Sequence, residues 1–164
     1  MLTADLDGTL VSYGSGNTPA LNHALAAQWQ ANGVTEIAIA TNQGGILFAD
    51  GKNKFPTAET VANRIIFASV ELGKYGIKIA KMIVSVYHPK FKHGQISADL
   101  ISRPLFRAKQ EIPSIRIETG EQWRKPSPKM LQVMKATSYY GDSDEDQAAA
   151  EAFKIPFYKV ERFQ

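Results

Sequence analysis

Two aspartates, Asp5 and Asp7, lie two residues apart near the start of the chain and run directly into Gly8-Thr9. Side-chain direction alternates along extended backbone, so these two carboxylates point to the same side. Close carboxylates repel. A divalent cation between protein and phosphate would relieve that repulsion, taking carboxylate, carbonyl and water oxygens in the octahedral geometry that magnesium prefers. Gly8 leaves room for the backbone to approach the phosphate and turn away. Three distant segments offer the rest of such a centre: Thr41-Asn42 a hydroxyl and amide hydrogens, Lys125 a point charge for the same oxyanion, and Asp142 a carboxylate that completes the metal site. Taken singly, each has a plainer reading. Asp5 and Asp7 would serve as turn residues, Thr41-Asn42 as a loop cap, Lys125 as a surface lysine and Asp142 as a helix-capping acid.

For these residues to meet, they must ride on elements that converge, and strand and helix signals do alternate along the chain. A short strand ends at Asp5, with only Leu2 and Ala4 as apolar content. Thr18 followed by Pro19 reads as the N-cap and first residue of a helix with Leu21, Leu25 and Trp29 on its apolar side and Asn32-Gly33 as its stop. Residues 37–40 form a buried strand. Pro56-Thr57 opens a second helix, whose Val61, Ile65, Ala68 and Leu72 recur at helical spacing before Gly73. Residues 82–87 give a third strand, and a long stretch without clear signal follows. Ser127-Pro128 then caps a helix carrying Met130, Val133 and Met134, Tyr139-Tyr140 leads as a strand into Gly141-Asp142, and residues 144–153 form a last helix. The pattern implies an α/β fold, a Rossmann-like three-layer sandwich with a central parallel sheet that binds ligands beyond the carboxyl ends of its strands. Asp5, Thr41 and Asp142 each close a predicted strand, so one site can gather them. No repeat or linker divides residues 1–164, which read as a single domain.

Composition narrows the chemistry. At 164 residues, 44% hydrophobic and 21% charged, the chain can bury one packed core. It has no cysteine, which excludes a disulfide, a thiolate zinc site and a cysteine nucleophile and leaves oxygen or imidazole ligands for any metal. No apolar run approaches the ~20 residues of a membrane span. The start, Met1-Leu2-Thr3-Ala4-Asp5, lacks the basic and apolar regions of a signal peptide, so a soluble, cytoplasmic protein with no membrane partner is expected. The net charge of +3 suits an anionic substrate without marking a nucleic-acid binder. The most basic stretch with interleaved aromatics, Tyr87-His88-Pro89-Lys90-Phe91-Lys92-His93, could touch a polyanion or stack a base, and a solvated loop is its plainer reading.

Asp5-Leu6-Asp7-Gly8-Thr9-Leu10, Thr41-Asn42-Gln43, Lys125-Pro126 and Gly141-Asp142 through Asp146 resemble, in order, the four signature motifs of haloacid dehalogenase superfamily phosphatases. The motifs extend over nearly the whole chain. The resemblance implies a magnesium-dependent phosphomonoester hydrolase. Asp5 would attack phosphorus to form an aspartyl phosphate, while Asp7 would protonate the leaving alkoxide and then deprotonate the hydrolytic water. Asp5 must then stay ionised and Asp7 must hold a proton near neutrality. The metal ligands would be Asp5, Asp7 through its backbone carbonyl, and Asp142; Thr41, Asn42 and Lys125 would bind the phosphate. Asp146, one helical turn beyond Asp142, would reach the metal through water or brace Lys125, and a purely structural ion pair is an equal alternative. Lys129 lies four residues after Lys125 and competes for its role, but the Lys-Pro-x-Pro setting of Lys125 matches the third motif. Trp123 could stack on a substrate ring, and a packing role is its plainer reading.

Members of this superfamily tune substrate choice with cap domains. Here the gaps after the first motif and between Thr41 and Lys125 are too small for a large one, which implies a capless or minimally capped enzyme with an open site. Thr41-Asn42-Gln43-Gly44-Gly45-Ile46 and the Pro56 helix resemble the branch containing polynucleotide 3′-phosphatases, histidinol-phosphate phosphatases and heptose-bisphosphate phosphatases. The last two often carry a cysteine-rich zinc loop, which a chain without cysteine cannot form. That absence favours a nucleic-acid 3′ end as the phosphorylated substrate; a sugar or histidinol phosphate is the alternative. No Gly-rich Gly-Lys-Ser/Thr segment for an attached kinase is present. A fold kept for binding with turnover lost would show a missing carboxylate, whereas Asp5 and Asp7 are both there. A phosphotransferase would use the same residues. Ser138-Tyr139-Tyr140 departs from the family's aliphatic fourth strand.

Overall fold

A computed structural model of the chain describes residues 1–12, 18–49, 52, 54–90 and 98–163. Six parallel strands form one sheet in the order β4-β3-β2-β1-β5-β6, with β1 at Leu2–Ala4, β2 at Glu36–Asn42, β3 at Lys78–Ser85, β4 at Ile115–Glu118, β5 at Ser138–Gly141 and β6 at Phe157–Lys159. The helices are α1 (His23–Ala31), α2 (Ala58–Gly73), α3 (Ala98–Phe106), α4 (Lys129–Met134) and α5 (Asp144–Phe153). Strand alternation divides the core in two. Ile37 and Ile39 of β2 pack with Leu25, Trp29, Ile65 and Leu72 of α1 and α2, while Ala38 and Ala40 pack with Met130, Leu131, Ala149 and Ala150 of α4 and α5. This is the expected α/β three-layer sandwich. Right-handed crossovers explain the division: the chain steps outward from β1 to β4 with helices on one face, then returns to β5 and β6 with helices on the other. The reversal occurs at the neighbouring strands β1 and β5, whose carboxyl ends lead into Asp5 and Asp142.

Several boundaries differ from the sequence expectation. α1 begins at His23, with the Asn22 side chain accepting from Leu25 N, and not at Pro19. Residues 18–21 instead run back along residues 10–12: Ser12 N donates to Ala20 O, Ala20 N to Ser12 Oγ, and Leu21 bridges Val11. Pro19 fits that extended return. Thr57 does cap α2, accepting from Thr60 N, and all four apolar residues marked for its inner face are buried. On α4 Met130 and Met134 are buried, but Leu131 takes the place expected for Val133, which is 39% exposed. β3 begins and ends earlier than residues 82–87. The stretch without signal holds α3, a 3-10 turn at Arg107–Gln110 and β4, and β6 also went unmarked. Phe91, Lys92 and His93 of the basic stretch lie outside the described residues. Among the described residues, no helix is long and apolar enough to cross a membrane.

Candidate active site

The centre of the site is the Lys125 ammonium, which is buried although it stems from a loop. Its Nζ lies 2.9 Å from Asp5 Oδ1, 2.6 Å from Asp146 Oδ1, 2.8 Å from the Tyr139 hydroxyl and 3.1 Å from Ala40 O. Four acceptors thus surround three N–H donors. The loop is clamped from β2: Asn42 Nδ2 donates to Lys125 O at 3.2 Å while Lys125 N donates to Asn42 Oδ1 at 3.0 Å, and the same amide nitrogen reaches Glu145 Oε2 at 3.1 Å. The Asn42 side chain therefore positions the lysine. Lys129, the competing candidate, lies over the Trp123 ring at 5.7 Å, and Trp123 is itself buried, a packing residue.

Asp5 is fixed just past β1, its N–H donating to Tyr140 O of β5 at 2.9 Å. Burial pushes its carboxyl up to about 7 against the pull of Lys125. Asp146 shares that lysine, and burial would raise it too. There the Lys125 contact and two hydrogen bonds from Ser143 outweigh burial and hold the carboxyl below the ordinary carboxylate value. Burial likewise disfavours the charge on Lys125, but the two carboxylates outweigh it and hold the lysine well above its usual value. Asp146 and Ser143 form a capping box at the start of α5, with Asp146 Oδ2 accepting from Ser143 N at 3.0 Å and from Ser143 Oγ at 2.6 Å. Both Asp146 oxygens are thereby engaged, which disfavours a reach to a metal through water and fits the brace on Lys125 and the purely structural ion pair alike.

Asp5, Asp142 and Asp146 each bring a carboxylate oxygen within 4.8 Å of the others. This all-oxygen set suits a hard cation. Asp146 is held on both sides by Lys125 and Ser143, and Asp142 accepts from Arg162 Nε at 2.6 Å and from Thr9 Oγ1 at 3.5 Å, so Asp5 is the most open of the three and Asp142 ligates directly only by exchanging one of these contacts for the cation. Gly8 makes their approach possible. Its φ is +78°, and a Cβ there would come 2.7 Å from Asp142 Oδ2. The C-terminal tail closes over the same point: Val160 N donates to Gly141 O and Phe163 N to Gly8 O, both at 2.8 Å, and Arg162 Nε lies 2.6 Å from Asp142 Oδ2.

The Asp7 carboxylate stands apart from this group. Its Oδ2 accepts from Gln43 Nε2 at 2.7 Å and its Oδ1 from Arg64 Nη1 at 3.2 Å, so any part it takes in metal binding falls to its backbone carbonyl. Gln43 Nε2 also reaches Thr41 Oγ1 at 3.0 Å and ties the buried Thr41 hydroxyl to Asp7. A cleft of about 490 Å³ adjoins it, lined by Asp7, Gln43, Arg64, Phe55, His88 and Arg124 among others.

The structure brings Asp5, Lys125, Asp142 and Asp146 into one cluster, with Thr41, Asn42 and Asp7 directly around it. Four contributors went unforeseen. Gln43 falls within a quoted motif but had no role assigned. Tyr139 reads in the sequence only as an irregular strand residue, and the available signal is a hydroxyl placed in a strand expected to be buried, where it needs a partner. Arg64 interrupts the apolar side of α2 next to Ile65, while nothing in the sequence marks Arg162. Compared with protein-family models, curated proteins and solved structures, the chain matches none.

Proposed function

We propose that this protein is a magnesium-dependent phosphomonoesterase of the haloacid dehalogenase type, working through an aspartyl phosphate on Asp5. The observation that carries the reading is the pairing of Asp5 Oδ1 with the buried Lys125 ammonium at 2.9 Å, at the sheet's switch point and beside Asp142. Lys125 holds one oxygen of the nucleophile and supplies positive charge beside the transferring group. An Asp5 oxygen attacks phosphorus as the bond to the leaving oxygen breaks, and Asp7 gives that oxygen its proton. Asp7 next takes a proton from the water that attacks the phosphoaspartate, which releases phosphate and restores the Asp5 carboxylate. Gln43 and Arg64, each donating to one Asp7 oxygen, hold the carboxylate as the acceptor of the water's proton, and delivery of the first proton requires Asp7 to release one of these contacts. A magnesium ion on Asp5, Asp142 and the Asp7 carbonyl would supply charge neutralisation for the phosphoryl oxygens. A nucleic-acid 3′ end remains the favoured substrate and a small sugar or amino-alcohol phosphate the alternative.

The Arg162–Asp142 ion pair favours a second reading, a domain that kept the fold and gave up its metal. A phosphate-release screen with magnesium, over 3′-phosphorylated oligonucleotides and sugar, nucleotide and amino-alcohol phosphates, decides between the two. The enzyme reading expects turnover that EDTA abolishes and that Asp5→Asn, nearly isosteric but unable to attack phosphorus, eliminates with the fold intact. No turnover on any ester, or full turnover in Asp5→Asn, overturns it.

A further inference from the structure

If Asp7 delivers the proton to the leaving oxygen, whatever is attached to that oxygen enters the cleft that Asp7 lines, and the chemistry of its wall is specific. Three cations, Lys54, Arg64 and Arg124, line it against two carboxylates, Asp7 and Glu145. Arg64 is engaged with Asp7 and Glu145 with Asn42, which leaves Arg124 and Lys54 as the lining cations without a described carboxylate in hydrogen-bonding range. Arg124 is held but not saturated. One N–H reaches Tyr87 O at 3.2 Å, and its nearest carboxylate oxygen, on Glu145, is 3.8 Å away, beyond hydrogen-bonding range, while a guanidinium has five donors.

His88 adds a neutral donor to the same wall. Its Nδ1 accepts from Lys90 N at 3.1 Å, so the neutral ring carries its hydrogen on Nε2. Burial and then the neighbouring Arg124 and Lys90 hold it below the ordinary histidine value, the direction a cationic, anion-seeking wall imposes. Phe55, also lining the cleft, is 38% exposed; its ring packs against Phe48 at 5.7 Å and against Gly45, where an added Cβ would come 3.2 Å from the ring. An exposed ring beside unsaturated cations suits a planar base carried next to a phosphate.

We infer that the cleft is a leaving-group site for phosphomonoesters whose leaving group carries both a planar base and a second phosphate, with the phosphate on Arg124 and Lys54 and the base on Phe55. This rests on the phosphomonoesterase reading for the direction in which the leaving group lies. A free nucleoside 3′,5′-bisphosphate and a 3′-phosphorylated strand end present the same chemistry.

The test is calorimetric binding to the full chain in magnesium, with Asp5→Asn used where turnover intervenes. The ligands are thymidine 3′-phosphate, thymidine 3′,5′-bisphosphate and a 3′-phosphorylated oligothymidylate. The second phosphate is expected to tighten binding roughly thirtyfold, as charge-assisted hydrogen bonds do. Arg124→Gln combined with Lys54→Gln should cut that advantage to about threefold. Phe55→Ala should weaken all three ligands, and Lys109→Gln, out at the β4 edge, should change nothing. An oligonucleotide that binds as well as the bisphosphate or better assigns the site to strand ends, and the reverse order assigns it to free nucleotides; both uphold it. Equal binding of the mono- and bisphosphate, or an advantage untouched by the double variant, overturns it. Parallel turnover of p-nitrophenyl phosphate, which has no second phosphate, reports the chemistry separately. Its loss with the binding pattern intact would count against the phosphatase reading alone.

Discussion

Replacing Tyr139 with phenylalanine removes one oxygen atom from the most buried part of the site. That oxygen accepts from Lys125 Nζ at 2.8 Å and lies 3.0 Å from Ala40 O and 2.9 Å from Asp146 Oδ1, in a residue with no exposed surface. The lysine would still have three acceptors for three donors, in Asp5, Ala40 O and Asp146, so no ammonium hydrogen is stranded. What is lost is a hydrogen bond to each of two charged groups, less whatever Lys125 regains by tightening on its remaining partners. A hydrogen bond to a charge contributes about 1.5–3 kcal/mol, so a net loss of roughly 2 kcal/mol is expected. At this chain length that lowers the melting temperature by about 4–8 °C. Lys125→Met is the contrasting case, since it strands two buried carboxylates; a loss of about 3–5 kcal/mol is expected. Urea unfolding of the three proteins, read by circular dichroism, measures both. A Tyr139→Phe loss below about 0.5 kcal/mol would show that the hydroxyl does not brace the pair. A Lys125→Met protein as stable as Tyr139→Phe would show that Asp5 and Asp146 do not depend on the lysine for their charge.

Asp7→Asn should lower turnover of alkyl phosphates by about 10²-fold or more, and of p-nitrophenyl phosphate far less, because nitrophenolate needs little protonation; equal losses would remove Asp7 as the acid. Magnesium binding should weaken in acid. Burial raises Asp5 from its ordinary value of 3.8 to about 7, so the folded protein holds a proton there between those values, and a cation that needs the carboxylate must displace it. Ionisation rises about tenfold from pH 6 to pH 8, so the apparent Kd from magnesium-dependent thermal shifts should be about tenfold larger at pH 6; a flat profile would mean that Asp5 is not a ligand. Arg162→Ala should tighten Mn²⁺ binding about fivefold by electron paramagnetic resonance, since it frees Asp142 from a half-exposed guanidinium at 2.6 Å. Unchanged or weaker binding would show that the tail does not compete for that carboxylate.

The parts of the fold legible in the sequence are those where one residue type has one physical use. Val61, Ile65, Ala68 and Leu72 mark the buried face of α2 because only an apolar stripe at that spacing seats a helix on a sheet, and Thr57 caps it as its hydroxyl permits. Asp5 and Asp142 fall just past strand ends because a carboxylate in the middle of a strand covered on both faces would be buried without partners. Where a residue has two uses, the reading failed. Pro19 serves a helix start and an extended return equally well, and only the contacts of Ser12 and Leu21 with residues across the turn decide between them. β4 and β6 are as short as β5 and β1 and show no period, but unlike those two they run into no motif aspartate that marks their ends, and they exist because neighbouring strands supply their hydrogen bonds. Tyr139 looked like a defect in an apolar strand since its ring belongs to the core while its hydroxyl belongs to the site. Arg64 and Arg162 find their carboxylates across 57 and 20 residues, and no local pattern records such partners.

The same distinction explains how one lysine serves two carboxylates with opposite tasks. Asp5 and Asp146 both contact Lys125 Nζ, both are buried, and burial pushes both toward protonation. They part company through their remaining contacts. Asp146 also accepts from Ser143 N and Oγ and lies against the Tyr139 hydroxyl, while the hydrogen bonds described for the Asp5 carboxylate end with the lysine. The extra donors keep Asp146 ionised and bind the ammonium to α5, so the lysine cannot fully neutralise Asp5. Asp5 is therefore the carboxylate at which a further positive charge gains most, and it lies next to Asp142, whose own counter-ion sits on a half-exposed arginine in the tail. A structural ion pair would need no such asymmetry. Environments that push two like carboxylates apart divide tasks between them, and under the phosphatase proposal this division would leave Asp5 as the carboxylate to receive a cation and then a phosphoryl group.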